Sequence, residues 1–273
     1  KFQPVLSEPV PSEPVLSEKE PSSSDAVDSA NALPVHIFRQ TCLRGDAQKE
    51  LSDNWVETIG QAIAMMARAR DIDTLVLATD ARPSSKHIRA VLVKALLSSG
   101  IDLLDIGQAP TPLMRYLLHD PDLHGCQADS GLMITGGHSP QTMNGLQLVF
   151  QQAEFTEADM TELLSRVQEG ESITGSGELT RYNAQEPYIN KVLMEVALAL
   201  PLKVVIDSDF GVAANIAPQL LRALDCDIVH MNTPENGRRP DNWSLDGALA
   251  ALGKRVKAEQ ADLGIWFDND GDR

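Results

Sequence analysis

With 273 residues, 39 Asp and Glu against 23 Lys and Arg, and a formal charge of -16, the chain argues against nucleic acid or an anionic membrane as partner, because such surfaces are bound through basic patches. Its 42% apolar residues can bury one large domain or two of ordinary size, yet there is no run of about 18 apolar residues to span a membrane and no signal-peptide pattern. The three cysteines, Cys42, Cys126 and Cys226, are scattered without CxxC spacing, which suits buried thiols in a reducing cytoplasmic setting better than a disulfide framework or a zinc site.

Residues 1–35 are a different material and are expected to form a disordered linker. Leu6-Ser7-Glu8-Pro9-Val10 recurs as Pro11-Ser12-Glu13-Pro14-Val15. Proline, serine and acid without apolar periodicity cannot bury enough surface to offset the entropy of ordering. The segment reads as an extended, partly polyproline-like tether. The chain opens on Lys1 rather than Met and stops inside its most acidic loop. The expectation is a piece of a longer protein, joined by the tether to whatever precedes it.

From residue 36 strands and helices alternate. Ser52 or Asp53 can cap a helix whose apolar face is Val56, Ile59, Ile63 and Met66. Residues 74–79 read as a short apolar strand, followed after a proline and two serines by a helix over about 87–98. A strand over 101–106, a helix over 112–119 and a strand over 131–135 come next. Asn144-Gly145 is a turn signal ahead of a strand over 146–150. A helix over about 157–167 then leads into a Gly-rich stretch at 169–177. The second unit offers helices over 186–198, 212–224 and 244–259, the last capped by Ser244, between strands over 203–206, 228–231 and 263–267. The alternation predicts α/β architecture with largely parallel sheets in two consecutive domains, 36–183 and 184–273. Ligands in such folds gather beyond the carboxyl ends of strands, where the loops after Thr79, Thr135, Asp207 and Phe267 fall.

The closing loop, Phe267-Asp268-Asn269-Asp270-Gly271-Asp272-Arg273, sets three carboxylates at alternate positions. Like charges so placed repel unless a cation lies between them. An all-oxygen set suits a hard divalent ion such as magnesium, shared with a substrate phosphate. The plainer alternative is a solvated acidic turn. A helix-loop-helix calcium loop wants Gly directly after the third acid, where Arg273 stands. A metal-dependent phosphatase with Asp268 as nucleophile wants a lysine and a second acid that are not evident.

Three more loops fall in suitable places. Thr135-Gly136-Gly137-His138-Ser139-Pro140 can bring backbone N–H groups close to a phosphate, or be a simple tight turn. Asp80-Ala81-Arg82-Pro83-Ser84-Ser85 puts an arginine and two hydroxyls at a helix start, suited to an anion or to plain capping. Arg39 and Arg44, ahead of Gly45, are candidate anion ligands or ordinary surface.

Taken in this order, with Pro110-Thr111-Pro112, Asn144-Gly145 and residues 207–211, these loops resemble those of the α-D-phosphohexomutases, most of all the bacterial phosphomannomutase/phosphoglucomutase branch. The likeness runs over about 37–273. The closing DxDxDR is its most specific motif, and Ile216-Ala217-Pro218-Gln219-Leu220 extends it outside any site. The resemblance implies two α/β domains of that type and phosphoryl transfer between positions 1 and 6 of a hexose, through a bisphosphorylated sugar and a phosphoserine. It implies Mg2+ held by Asp268, Asp270 and Asp272, with hexose phosphate and hexose bisphosphate as partners. Arg44 matches the arginine of the family's first motif and His138 the histidine after the phosphoserine. With Ser139 these make the expected catalytic set, while Arg273 and Asn144 are expected to bind substrate.

Several positions depart from the family pattern. Its phosphoserine loop reads Thr-x-Ser-His-Asn-Pro, and here Gly137 stands at the serine and Ser139 at the asparagine. Glycine has no oxygen to carry a phosphoryl group, and Ser139 lies two residues on, in a chain that advances about 3.3 Å per residue. Leu146 and Gln147 replace an aromatic and a lysine, and an amide cannot relay a proton as a lysine does. Thr41 and Cys42 replace a tyrosine and an aspartate, and Arg239-Pro240-Asp241-Asn242 is a reduced Asn-x-x-Pro-Asp-Pro loop. Asn269, in place of glycine, touches no ligand position. Family members carry a third and a fourth domain beyond this point, for sugar hydroxyls and the distal phosphate. Two readings result: a mutase whose carrier is Ser139, or a non-catalytic relative that keeps the metal loop and acts as a sugar-phosphate-sensing or interaction domain.

Overall fold

The computed structural model describes residues 32–120, 128–233 and 239–273. Cys126 and nearly all of the expected linker lie outside them. After a 3-10 turn at Val35–Ile37, the chain forms β1 (Cys42–Asp46), α1 (Asp53–Arg68), β2 (Thr74–Thr79), α2 (Pro83–Ser98), β3 (Asp102–Gln108) and α3 (Thr111–His119). Then come β4 (Gly131–Ile134), β5 (Met143–Phe150), β6 (Ala153–Glu154), α4 (Glu157–Glu169) and β7 (Leu179–Arg181). The remainder forms α5 (Gln185–Glu195), β8 (Lys203–Asp207), a 3-10 turn Val212–Asn215, α6 (Ala217–Ala223), β9 (Asp227–Met231), α7 (Leu245–Glu259) and β10 (Leu263–Trp266).

Two sheets result. The first has the order β1-β5-β4-β2-β3-β7, with β6 beside β5, and the second the order β10-β8-β9. β4, β2, β3 and β7 pair in parallel, as do all three strands of the second sheet. β5 runs antiparallel to both β1 and β4, so the first sheet is mixed. Strand β2 is buried on both faces, as a central parallel strand under two helical layers must be. On one side α1 packs against α2 and α4. On the other, Leu113, Met114, Leu117 and Leu118 of α3 pack with Val76, Ala78, Leu104 and Met133 of the sheet. A fully buried side chain of this size contributes roughly 1.5–3 kcal/mol of transfer free energy.

The helix α1 buries the expected Val56, Ile59, Ile63 and Met66, and Ser52 is its cap, accepting from Trp55 N. Other boundaries differ from the expected ones for identifiable reasons. Pro83 is at the start of α2, where its missing N–H costs nothing, so the helix begins before residue 87. Asn144-Gly145 is strand rather than turn, opposite Arg44 and Gly45 of β1. The helix expected over 212–224 is a 3-10 turn followed by a short α6 with proline in its first turn. β1 and β7 are strands where the apolar pattern signals none, and α5 stops at Glu195. Among the described residues no helix is long and apolar enough to cross a membrane.

Candidate active site

The loop after β10 is folded around its first acid. Asp268 Oδ1 accepts from the backbone N–H of Asp272 and of Arg273, each at 3.1 Å. Its other oxygen, Oδ2, is buried without a partner. Asp270 Oδ2 accepts from Thr135 Oγ1 at 2.8 Å and Thr111 Oγ1 at 3.4 Å, while Oδ1 has no partner. The backbone carbonyl of Asp270 also accepts from Thr111 N at 2.9 Å. One carboxylate oxygen from each of Asp268, Asp270 and Asp272 falls within 4.8 Å of the others. Burial pushes the Asp268 carboxyl up to about 7, and the charges of Asp270 and Asp272 push the same way. Two orphaned, buried carboxylate oxygens in an all-oxygen trio fit a hard cation and nothing apolar.

The loop after β4 is tied to this trio. Gly137 N donates to Thr135 Oγ1 at 2.7 Å, the hydroxyl that itself holds Asp270. Gly137 has φ +53, and a Cβ built there would lie 3.7 Å from Asp270 Oδ2 and 3.8 Å from Arg44 Nη2. Arg44, from β1, is only 6% exposed and its Nη1 has no partner. A buried guanidinium with a free donor, in one cleft with Asp270 and Asp272, suits an anion held beside a cation.

Arg82 has a different task from the one its sequence context suggests. It is 1% exposed and donates to the carbonyls of Gly137, Ser139, Pro140 and Met143 at 2.6–2.8 Å. Its Nε stands 3.2 Å from Asp80 Oδ2. Burial pulls the guanidinium below its ordinary value, and Asp80 opposes this. Asp80 also accepts from Gly136 N at 3.0 Å. The pair is a clamp on the 136–143 loop, with no donor directed at a ligand.

A cleft of about 210 Å3 opens beside the trio, lined by Arg44, Gly137, His138, Ser139, Asp270, Asp272 and Arg273, with Gln147 also in its wall. The structure thus gathers seven of the eight sequence-selected residues at one cleft or in the acidic loop beside it, Asp268 included. Asn144 stands apart: it is fully buried, and its Nδ2 donates to Ser84 Oγ at 2.8 Å and Ser85 Oγ at 2.9 Å. Its Oδ1 accepts from Gly145 N at 2.8 Å, so its amide joins loops. Two contributors have no sequence signal of their own. Arg115 lines the cleft from α3, paired with Glu154 at 2.8 Å, and looks from sequence like any polar position of an amphipathic helix. Thr111 is visible only as part of a Pro-Thr-Pro string.

Two family models match the chain in series. "Phosphoglucomutase/phosphomannomutase, alpha/beta/alpha domain I" covers residues 35–174 and domain II covers residues 186–273. The chain belongs to this family. A phosphomannomutase/phosphoglucomutase of Pseudomonas aeruginosa is 32% identical over 247 residues, covering 89% of this chain and 52% of that protein. A probable phosphoglucosamine mutase of Pyrococcus abyssi is 32% identical over 209 residues, 73% of this chain and 44% of that protein. Among solved structures, a phosphoglucomutase/phosphomannomutase family protein of Burkholderia thailandensis superposes with TM-score 0.81 at 30% identity, over 89% of this chain and 54% of that one. The chain spans about half the length of the curated relatives it matches. Its α/β fold is that of the phosphohexomutases.

Proposed function

We propose that this chain is the metal-holding and phosphate-holding half of a phosphohexomutase-type protein, which binds a hexose phosphate with Mg2+ and does not carry the phosphoryl group at residue 137. The supporting observation is the setting of Gly137. The position that the resemblance assigns to the phosphoserine faces Asp270 and Arg44 at under 4 Å and offers them no oxygen. Asp268, Asp270 and Asp272 would hold the magnesium, as their unpartnered oxygens fit it. Bound there, the ion would supply charge neutralisation beside a phosphoryl group. Arg44 anchors a phosphate through its free Nη1, and Arg273 adds an exposed cation at the mouth. Asn144 positions the loops around them. The relative named phosphomannomutase/phosphoglucomutase is about twice this length, so the transfer between positions 1 and 6 that the resemblance implies is proposed for a protein of that length.

A second reading keeps catalysis and makes Ser139 the carrier, with His138 beside it. It is favoured by the half-buried Ser139 lining the same cleft. In that case the Ser139 hydroxyl gives up its proton and Oγ forms a bond to phosphorus as the sugar O–P bond breaks, and the departing sugar oxygen takes up a proton. Mass spectrometry of the 131–150 peptide, after incubation with magnesium and glucose 1,6-bisphosphate, separates the two. We expect an unmodified peptide alongside calorimetric binding of the bisphosphate that Arg44→Ala abolishes. A phosphate on Ser139 would replace the first reading with the second.

A further inference from the structure

A second cleft, of about 650 Å3, lies at the ends of β2 and β3 and shares no lining residue with the metal cleft. Its position follows from the winding. β2 leads into α2, which packs beside α1, while β3 leads into α3, which packs on β2 and β4 across the sheet. Neighbouring parallel strands whose loops leave toward opposite faces open a crevice at their carboxyl ends, the usual ligand position of such sheets.

The walls carry an excess of positive charge. Arg89 is paired with Asp105, which also accepts from Gly107 N at 3.1 Å, so that arginine is already neutralised. Lys86, from the first turns of α2, and Arg181, at the end of β7, line the same cleft. Among the described residues neither is in an ion pair. In a chain of net charge -16, two unneutralised cations at the rim of one concavity create a local field attractive to anions.

The backbone is also shaped for access. The pairing of β2 with β3 shifts between Leu77 and Ala78, and Ile106 is the residue passed over. Gly107, next in line, has φ +70, and a Cβ there would touch nothing within 4 Å. A bulge at a strand end re-aims the residues after it; the Gly107 N–H is taken up by Asp105 Oδ1, and the exposed Gln108 side chain lines the cleft beside it. Gln108 is three residues before Thr111, whose N–H and hydroxyl hold Asp270.

We propose that this cleft binds a small phosphorylated anion through Lys86, Arg181 and the Gln108 side chain, as an effector site coupled to the metal loop through Thr111. A volume of 650 Å3 admits a molecule of sugar-phosphate size. The coupling to the metal loop rests on the function proposed above, whereas the site itself does not. The test is an NMR titration of the 15N-labelled full chain with inorganic pyrophosphate, without metal and at constant ionic strength. Saturable shifts are expected at Gly107 and Gln108. Lys86→Ala/Arg181→Ala should weaken them about a hundredfold, the loss of two charge-assisted contacts at about tenfold each, with the rest of the spectrum unchanged. Shifts confined to Gly137 and Gly271 would overturn this site and leave the metal cleft standing. Shifts at Gly107 that sodium chloride reproduces, or that the double variant retains, would overturn it as well.

Discussion

On the function proposed above, the chemistry of the candidate site turns on the side chain that residue 137 does not have. There is room for one, since the nearest atoms to a Cβ placed on Gly137 are 3.7 and 3.8 Å away, but the left-handed backbone at φ +53 disfavours it by roughly 1–2 kcal/mol. Gly137→Ser is therefore expected to fold with a stability loss of about 1 kcal/mol in chemical denaturation. It is also expected to acquire a phosphate from glucose 1,6-bisphosphate and magnesium, read as a mass increase of the peptide. A folded variant that stays unmodified would show that the lesion lies elsewhere, with Gln147 the next position to restore. Asp268 gives a separate prediction. Its carboxyl titrates near 7 without metal, above its unfolded value of 3.8. Its contribution to the metal-free fold is therefore complete below about pH 4 and lost as pH rises through 7. Magnesium reverses the slope, because ligation needs the carboxylate. Melting temperature with EDTA should fall from pH 5 to 8, and the increment produced by magnesium should grow over the same range. A magnesium increment independent of pH would remove Asp268 from the ligand set.

Elements are legible where a period runs long enough to stand above local chemistry. The apolar face of α1 is a 3.6-residue repeat, and its buried residues are those the repeat names. β1 is not legible, because Cys-Leu-Arg-Gly-Asp alternates nothing: Arg44 is buried for the site rather than for the core. β7 is a three-residue edge strand, exposed throughout, with no apolar pattern to read. The Asn-Gly pair misleads for an instructive reason. Gly145 is not making a turn; it lets β1 cross close by, and a Cβ there would lie 1.9 Å from the Leu43 carbonyl oxygen. Gly145→Ala should therefore separate β1 from β5, displace Arg44 and cost about 2–4 kcal/mol in urea unfolding. Gly253, in the middle of α7, has nothing within 4 Å of a built Cβ. Gly253→Ala should instead stabilise by about 0.5–1 kcal/mol. Equal effects at the two positions would contradict the close-approach role of Gly145. The acidic loop is the legible part of the site because its pattern is local, three acids on one turn. The role of Arg82 is hidden in the sequence because its partners, four carbonyls 55 to 61 residues away, are set by the fold alone.

At the scale of the whole molecule, the two sheets are joined where the acid trio meets the first sheet. Asp270 receives Thr135 Oγ1 from the end of β4, and the N–H and hydroxyl of Thr111 from the start of α3. Thr135 Oγ1 accepts in turn from Gly137 N, so one hydroxyl orients a metal-facing carboxylate and the loop opposite it. Removing that hydroxyl at constant shape isolates its role, since Thr135→Val keeps the volume of a residue with no exposed surface. A hydrogen bond to a charged group contributes about 1.5–3 kcal/mol. The variant should therefore bind magnesium about tenfold more weakly, as Asp270 is no longer held in place. Its second sheet has a thinner core, Val204, Ile206 and Cys226 with partly buried neighbours. That sheet should melt ahead of the first, splitting one calorimetric transition into two. Magnesium at saturation should merge them again, because the ion binds only where Asp268, Asp270 and Asp272 are assembled. A single transition with unchanged metal affinity in Thr135→Val would show that the sheets are coupled through other contacts and that Thr135 is only a core residue.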